Sequence, residues 1–349
     1  MHVVKVGGSI LKGSDDLALI RNKIEACEKC IIVTSAMRNV TNNLIEAINT
    51  RNTGIIDTIF TRHMELMNNF YDKDSYFNLL AFKNDVLNNL LRPDTPENRD
   101  LILSYGEKMA VMVLYSYLKH HGLDVDYYIE PFIVTDDNFG DASCLYKYTE
   151  ENLKNMEFKH KITIVPGFTG KTLSGKVTTL GRGGSDYTAV LLGRFLHCSV
   201  RLITDVPGIM TYDPKVFPDA RTLPEVSIKE AIKMSYVGVK NFNYKTFSPA
   251  IDSDIEITIE SLYEEGKTVI THNEIKTIKC IALTGTYGNK NMLVFIGHGL
   301  SEVDTSSQIL NAIGKTHLYH LDDTSLSVIM DEDLEKNKRY LSEVPLWTK

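Results

Sequence analysis

The chain has 349 residues, which at roughly 100–200 residues per domain predicts two domains. A hydrophobic fraction of 43% and a charged fraction of 24% are typical of globular proteins and exclude a disordered chain. The net charge of −7 provides no general positive field, so we expect neither nucleic acid nor an anionic membrane as a partner.

The sequence gives no reason to expect membrane insertion, export or disulfide bonding. Its longest nearly apolar run, Met109–Leu118, has about half the length of a membrane span. The first residues lack the basic, apolar and small-residue regions of a signal peptide. Cys27 and Cys30 have metal-like spacing but no second pair in range, so we predict buried thiols and a cytoplasmic protein.

Short apolar runs alternate with helical patterns in the N-terminal part of the chain. His2–Val6 and Cys30–Thr34 predict buried strands on either side of a helix over Asp15–Ala26. Ile162–Val165 and Val200–Thr204 are of the same kind. This alternation predicts an α/β fold with a mostly parallel sheet and helices on both faces, in which ligands bind beyond the carboxyl ends of the strands.

Residues 42–121 interrupt this alternation with apolar residues at helical spacing. The stretch is too long for a structureless loop, so we predict a helical excursion from the sheet. Within it, Thr95 followed by Pro96 is typical of a helix start, with the threonine as the cap.

The pattern changes again near residue 272, which we predict to be the boundary between domains at 1–272 and 273–349. The second part is a small unit of predicted strands (Thr277–Leu283, Met292–Ile296, Thr316–Leu321, Ser325–Met330) and predicted helices (Val303–Ile313, Leu334–Glu343).

Three segments carry candidate chemistry. Lys5-Val6-Gly7-Gly8-Ser9 follows a strand, and its adjacent glycines and lysine suit an anion, although an ordinary turn fits equally well and the spacing is not that of a Walker A motif. Thr179–Asp186 places three glycines around Arg182 before a predicted helix, Tyr187–Leu196. Thr204–Lys215 has two turns that can face a nucleotide, or simply connect two elements.

In the second of these segments, Ser185 or Asp186 is expected to cap the helix. Capping explains neither the arginine, which can fork onto a carboxylate or phosphate, nor the three glycines. We therefore predict an anion-binding loop, in which Asp186 orders a cation or a lysine.

Six segments, taken in chain order, together resemble the aspartate kinase branch of the amino acid kinase family. They are Lys5–Ser9, Ser35-Ala36-Met37 with Thr41-Asn42, Ser104-Tyr105-Gly106-Glu107, Gly167-Phe168-Thr169-Gly170, Thr179–Asp186 and Thr204–Lys215. The resemblance covers residues 1 to about 260, and TTLGRGGSDYTA is its most specific part. The tail resembles an ACT module, the small amino-acid-sensing unit that follows the kinase domain in this family.

The resemblance implies ATP- and Mg²⁺-dependent phosphorylation of the L-aspartate side chain to 4-phospho-L-aspartate, the first step of lysine, threonine and methionine synthesis. It implies an aspartate site lined by Ser35, Thr41, Glu107, Phe168, Arg182 and Ser185. It implies an ATP site formed by Lys5, Gly7, Gly8, Ser9, Thr204, Asp205, Met210, Lys215 and Lys240, with Mg²⁺ held mainly by the phosphates. ACT-like modules usually pair edge to edge, so we expect a homodimer and an amino-acid effector.

Carried over by position, the catalytic residues are Lys5, Asp186 and Lys240. The two lysines would hold the phosphates, and Asp186 would orient Lys5. Arg182 would clamp the α-carboxylate of aspartate, and Glu107 would pair with its ammonium group. No general base is expected, because a carboxylate nucleophile with a pKa near 3.9 is already ionised at neutral pH.

The chain departs from the family pattern at several positions. Asn243-Tyr244 stands where His-Pro is usual, Lys215 replaces a common arginine and Met210 a common tyrosine. The tail holds one ACT-like unit where regulated members usually have two, and the short link Gly285–Asn291 falls at the usual insertion point. Two alternatives stay open: a sister kinase acting on another acceptor (glutamate, N-acetylglutamate, carbamate or a nucleoside monophosphate), and a non-catalytic amino-acid sensor.

Overall fold

The structure is a computed structural model and describes residues 1–239, 242–287, 290–313 and 316–330. The chain forms two compact units, the first made of Met1–Val206 with Ser253–Glu264 and the second of Pro207–Asp252 with Glu265–Lys349. These units differ from the predicted domains because residues 207–252 group with the C-terminal part. The family-based boundary at residue 272 stays a prediction.

Helices and strands alternate along the described chain. The helices are α1 (Ser14–Glu25), α2 (Val40–Thr50), α3 (Thr53–Met67), α4 (Lys73–Leu90), α5 (Pro96–His120), α6 (Tyr146–Lys154), α7 (Gly184–Leu196), α8 (Ile228–Tyr236) and α9 (Val303–Ile313). None of these described helices is long and apolar enough to cross a membrane.

The strands are β1 (His2–Val6), β2 (Cys30–Thr34), β3 (Val125–Tyr127), β4 (Ile162–Pro166), β5 (Thr169–Lys171), β6 (Val177–Thr179), β7 (Ser199–Thr204), β8 (Glu225–Ser227), β9 (Ile257–Ser261), β10 (Lys267–Thr271), β11 (Ile278–Tyr287), β12 (Lys290–Gly297), β13 (Thr316–Leu321) and β14 (Ser325–Met330).

A parallel sheet forms the centre of the first unit. Its strands lie in the order β3-β4-β2-β1-β7-β9, and each neighbouring pair is parallel. Val6, the last residue of β1, pairs with Thr34 on one side and Ile203 on the other, and Thr34 pairs with Pro166. The mostly parallel α/β fold is confirmed, and the register brings the carboxyl ends of four adjacent strands to one edge.

The predicted helical excursion consists of α2 to α5. The Thr95 hydroxyl oxygen accepts a hydrogen bond from the Asn98 N–H at 3.2 Å, which confirms this residue as the cap of α5. The middle of α5, from Ser104 to Leu114, is buried throughout and packs in one apolar core with Val4, Val6 and Ile32 of the sheet. Helix α5 therefore passes through the interior of the unit, where its polar residues are shielded from water.

The second unit contains a parallel pair, β8 with β10, and a separate antiparallel sheet in the order β11-β12-β14-β13. Helix α9 packs on this sheet through Ile309 and Ile313, which share a core with Phe295 and Leu326. These elements confirm the small ACT-like α+β domain, with β11 and β12 longer than predicted. The predicted helix Leu334–Glu343 lies outside the described residues.

Candidate active site

Loops from four adjacent strands meet at the carboxyl edge of the parallel sheet in the first unit. Backbone hydrogen bonds tie each loop to the neighbouring strand: Ser35 N–H donates to Val6 at 3.1 Å, and Gly167 N–H donates to Thr34 at 2.9 Å. The first residues after β1, β2, β4 and β7 therefore lie side by side, as the sequence predicts for a ligand site of a parallel sheet.

Lys5 and Asp186 form an ion pair in this site. The Lys5 ammonium lies 2.8 Å from Asp186 Oδ1, and both side chains are largely buried, with 12% and 15% exposed. Lys5 belongs to β1, whereas Asp186 lies in the first turn of α7, so the pair joins the sheet to the helix. A partly buried pair with this geometry holds the ammonium at one position beside the glycine turn.

The Gly7-Gly8 turn lies so close to its neighbours that an added side chain would crowd them. A Cβ on Gly7 would lie 3.3 Å from the Lys5 ammonium, and a Cβ on Gly8 would lie 2.2 Å from the carbonyl oxygen of Ala36. The second distance is sterically forbidden, so glycine is required where the first two loops touch. The first shows that a side chain at Gly7 would crowd the Lys5 ammonium, so glycine keeps the backbone close to this positive charge, as an anion-binding turn requires.

Glu107 brings a buried carboxyl group to the same edge. It is 3% exposed, and its Oε1 accepts a hydrogen bond from the Ala36 N–H at 3.0 Å. Its Oε2 is buried and has no hydrogen-bond partner among the described residues. Burial raises the pKa of Glu107 to about 8, although backbone hydrogen bonds from Ala36 and from Glu107 itself act in the opposite direction. An unpaired buried carboxyl oxygen is stabilised by a cationic ligand.

The glycine-rich loop leads into α7 earlier than predicted. The predicted helix start at Tyr187 is wrong, because α7 begins at Gly184. Capping by Ser185 or Asp186 is wrong as well: Gly183 occupies the cap position with φ of 77°, a left-handed conformation that suits glycine, and no side chain caps the helix. Ser185 and Asp186 lie instead in the first turn of α7, where Asp186 pairs with Lys5.

Arg182 projects from this loop and is exposed. It makes no hydrogen bond or ion pair with any residue that the structure describes. Ser185 is buried against Gly167, where an added Cβ would approach the serine Cβ to 2.7 Å. The loop therefore offers one unpaired guanidinium and one buried hydroxyl.

Phe168 and Thr41 complete the predicted aspartate side. Phe168 has φ of 64°, and this left-handed conformation is held by two hydrogen bonds, from its N–H to Thr188 Oγ1 at 3.1 Å and from the Leu180 N–H to its carbonyl at 2.8 Å. Thr41 lies half-buried in the first turn of α2, and Ser35 is half-buried directly after β2.

Thr204, Asp205 and Ser9 lie at the end of β7 and beside it. The Thr204 hydroxyl donates to Asp205 Oδ1 at 3.1 Å. Burial acts to raise the pKa of Asp205, but hydrogen bonds from the Ser9 and Thr204 side chains outweigh it and the pKa is lowered. Asp205 is thus a stable carboxylate within the predicted nucleotide side.

The remaining predicted nucleotide residues do not belong to the first unit. Met210 lies in the second unit, where its sulfur accepts a hydrogen bond from the Thr222 hydroxyl at 3.4 Å. Lys215 is exposed in the same unit, and its N–H donates to Asp213 Oδ1 at 2.9 Å in a local turn. Lys240 lies outside the described residues.

Sequence reasoning missed Asp100, a buried carboxylate that supports the glycine-rich loop. Its Oδ2 accepts from the Thr179 N–H at 2.7 Å and the Gly140 N–H at 2.9 Å, and its Oδ1 accepts from the Thr179 hydroxyl at 2.8 Å. Burial raises its pKa. One signal was available, because Asp100 and Glu107 are seven residues apart, which puts both acidic side chains on one face of the helix.

The cysteine prediction is confirmed, since Cys27 and Cys30 are free and buried. Within the described ranges, no group of three or more histidine, cysteine, aspartate or glutamate residues is placed to hold a metal ion.

Comparison with known proteins identifies a family. The model of the amino acid kinase family matches residues 1–261. Lysine-sensitive aspartokinase 3 of Escherichia coli is 35% identical over 173 residues, which are 48% of this chain and 38% of that protein. Aspartokinase 2, chloroplastic, of Arabidopsis thaliana is 28% identical over 298 residues, 78% of this chain and 54% of that protein. The chain thus spans between two fifths and a little over half of the length of these relatives.

Solved structures share the fold. E. coli aspartokinase III in complex with aspartate and ADP has a TM-score of 0.76 at 22% identity, covering 95% of this chain and 79% of the other. Clostridium acetobutylicum aspartate kinase has a TM-score of 0.68 at 24% identity, covering 98% of this chain and 81% of the other. With three quarters of its length matched by the family model, the chain belongs to the amino acid kinase family.

Proposed function

We propose that the protein is an aspartate kinase that transfers the γ-phosphoryl group of ATP to the side-chain carboxylate of L-aspartate. The product would be 4-phospho-L-aspartate, in the first step of lysine, threonine and methionine synthesis. The observation that carries the proposal is Glu107, a buried carboxyl group with one oxygen bonded and the other unpaired, at the same sheet edge as the Lys5–Asp186 pair. Five free cysteines support a cytoplasmic location.

Two charged groups account for recognition of an amino acid. Arg182 has an unpaired guanidinium that can fork onto the α-carboxylate, and the free oxygen of Glu107 can accept from the ammonium. Ser35, Thr41, Phe168 and Ser185 would line the rest of the site. An acceptor without an ammonium group would leave Glu107 unpaired, which favours aspartate over simple dicarboxylates.

The chemistry requires positioning and neutralisation of charge. The acceptor carboxylate is ionised at neutral pH, so no side chain has to remove a proton. Lys5 would contact the transferring phosphoryl group and stabilise the charge on its oxygens, while Asp186 keeps the Lys5 ammonium in place. Lys240 is proposed as a second phosphate ligand.

A phosphate of ATP would lie beside the glycine turn and the Lys5 ammonium, which a Cβ on Gly7 would crowd. Gly8, Ser9, Thr204 and Asp205 would contact the nucleotide from the first unit. Met210, Lys215 and Lys240 are proposed nucleotide ligands by family position. Asp186 is already paired with Lys5, so Mg²⁺ would be held mainly by the phosphates, whose charge it would neutralise.

We also propose a homodimer formed through the ACT-like sheet, with an amino-acid effector at this module. Strand β13 lies at one edge of that sheet as described, and its side chains Leu318 (51%) and Tyr319 (64%) are exposed. An exposed apolar edge is a site for pairing with another chain. Light scattering at micromolar concentration should give a dimer, and a Leu318→Lys variant should be monomeric. A monomeric wild-type protein would refute this part.

The test of the activity is a hydroxylamine trap for acyl phosphate with Mg-ATP and a panel of acceptors. Aspartate should react, whereas glutamate, N-acetylglutamate and a blank should not. Reaction with another member of the panel alone would identify a sister kinase. No reaction, with aspartate binding still seen by calorimetry, would identify a sensor. Neither reaction nor binding would refute the substrate.

A further inference from the structure

A junction of three segments surrounds Asp100 in the second turn of α5. Thr179 ends β6 and begins the glycine-rich loop, and Gly140 lies in the loop before α6. Both donate backbone hydrogen bonds to Asp100, and the Ala142 N–H donates to the Thr179 carbonyl at 2.9 Å. The backbone of Thr179 is thus held at its N–H, its carbonyl and its side chain.

Both bonds between Asp100 and Thr179 are buried, whereas the Gly140 bond is partly buried. Asp100 is 2% exposed, and its hydrogen bonds with Thr179 lie in the interior. A carboxylate at such a position is stable only while its donors remain in place, so the geometry has little freedom. Thr179 is therefore a fixed point from which the loop departs.

The loop beyond Thr179 is held by backbone hydrogen bonds on either side of Arg182: the Leu180 N–H donates to the Phe168 carbonyl at 2.8 Å, and the Gly184 N–H donates to the Gly181 carbonyl at 2.9 Å. Gly181 and Gly183 have positive φ angles of 81° and 77°, and Arg182 between them contacts no described side chain through a hydrogen bond or ion pair. The position of the Arg182 backbone therefore depends on these bonds and on the two ends of the loop. One end is Thr179, and the other is the start of α7 at Gly184.

We propose that Asp100 is a positioning residue for substrate recognition, which acts on Arg182 by fixing Thr179. This inference rests on the proposed function, because it assumes that Arg182 binds the acceptor's α-carboxylate. Asp100 and Glu107 lie seven residues apart, or about 10 Å along α5. One helix then sets the positions of both charged groups that recognise the amino acid: Glu107 directly, and Arg182 through the loop.

The pattern of acceptor and donor atoms makes a sharp test available. In Asp100→Asn, the amide oxygen can accept from both N–H groups while the amide nitrogen donates to the Thr179 hydroxyl oxygen, so every bond can be replaced. In Asp100→Ala, all three are lost. We expect the alanine variant to raise the KM for aspartate by about tenfold or more, with the KM for Mg-ATP within about twofold of wild type.

The asparagine variant should restore the KM for aspartate to within about threefold of wild type. Thr179→Val removes only the hydroxyl bond, so its KM for aspartate should lie between those of the asparagine and alanine variants. This variant provides the test if Asp100→Ala does not fold. Asp94→Asn is the matched control, because Asp94 is exposed just before the same helix and pairs with Arg99. It should leave both KM values unchanged.

Wild-type KM values for aspartate in Asp100→Ala and Thr179→Val would overturn the inference. Equal increases in the KM for aspartate and for Mg-ATP would also overturn it, since they would indicate general loosening of the site. A wild-type protein that forms no acyl phosphate would refute the proposed function instead, so the two failures are distinguishable.

Discussion

The site residues of the first unit and the nucleotide ligands proposed in the second unit are fixed in different ways. Lys5 contacts Asp186, and Glu107 contacts Ala36, so distant parts of the chain meet in buried bonds. Lys215, by contrast, is exposed and is held by a turn that spans two residues. A site built from buried long-range contacts is pre-organised. Substitutions there should therefore reduce activity far more than substitutions in the exposed loop.

The largest effect is expected for Lys5→Ala. Loss of the ammonium removes the charge that stabilises the transferring phosphoryl group, so kcat should fall by about a thousandfold or more while aspartate binding persists. Rapid-quench kinetics and calorimetry check the two parts. Lys154→Ala, which breaks an exposed pair with Glu150, is the control and should be neutral. A Lys5→Ala enzyme of normal kcat would remove Lys5 from the chemistry.

Arg182→Ala should act on aspartate rather than on the nucleotide. Loss of the guanidinium should raise the KM for aspartate by about a hundredfold and leave the KM for Mg-ATP nearly unchanged. Arg182→Lys keeps the charge but loses the two-point hydrogen bonding of the guanidinium. Its KM for aspartate should therefore lie between those of the wild type and the alanine variant. Unchanged aspartate kinetics in the alanine variant would show that Arg182 does not clamp the substrate.

Glu107 should make stability depend on pH. The pKa of Glu107 in the folded protein is about 8, above the ordinary value of 4.5. Its contribution to the free energy of unfolding is therefore full below pH 4.5 and is lost as the pH rises through 8. Glu107→Gln should therefore be as stable as wild type near pH 4.5 and more stable by roughly 2–4 kcal/mol near pH 8.5. Urea denaturation at both pH values measures the difference in the free energy of unfolding.

Glu46→Gln is the matched control for this experiment, because Glu46 is exposed on α2. It should not change the pH dependence of the free energy of unfolding. A different outcome is that the free energy of unfolding of Glu107→Gln follows that of the wild type over the whole pH range. In that case the charged form of Glu107 is not destabilised in the free protein, and it needs no cationic ligand.

The smallest effect is expected for Lys215→Arg. The substitution adds a forked donor at an exposed position of the proposed nucleotide site, so the KM for Mg-ATP should fall by about twofold to fivefold with no change in the KM for aspartate. Lys267→Arg, at another exposed position in the second unit, should change neither. A larger effect of Lys215→Arg on aspartate than on Mg-ATP would contradict the division between the two sides.

The sequence predicted most of the fold because buried parallel strands have unbroken apolar patterns. Cys30–Thr34 has the predicted bounds, and the strand that ends at Thr204 starts one residue earlier than predicted. The start of α7 was missed by three residues because glycine is a weak helix former, and only its left-handed conformation at Gly183 reveals the cap. The local sequence pattern therefore predicts the bounds of buried strands well, but it predicts the start of a helix after a glycine-rich loop poorly.

The site was predicted unevenly for a related reason. Lys5, Asp186 and Glu107 lie in motifs that resemble a known family, and the structure brings Lys5 and Asp186 within 2.8 Å. Asp100 forms its bonds with Thr179, 79 residues away, and the local sequence shows only that Asp100 shares a helix face with Glu107, not which residue it contacts. Residues that support a site from a distance therefore require the fold before they can be found.

The most direct measurement compares acyl phosphate trapped from L-aspartate with that trapped from succinate, which lacks only the ammonium group. Glu107 has a buried oxygen with no partner among the described residues, and the ammonium of aspartate would pair with it. We predict kcat/KM for aspartate at least about a hundredfold higher, the size expected when a buried polar group is left unpaired. Equal values for the two acceptors would contradict recognition of an amino acid by this site.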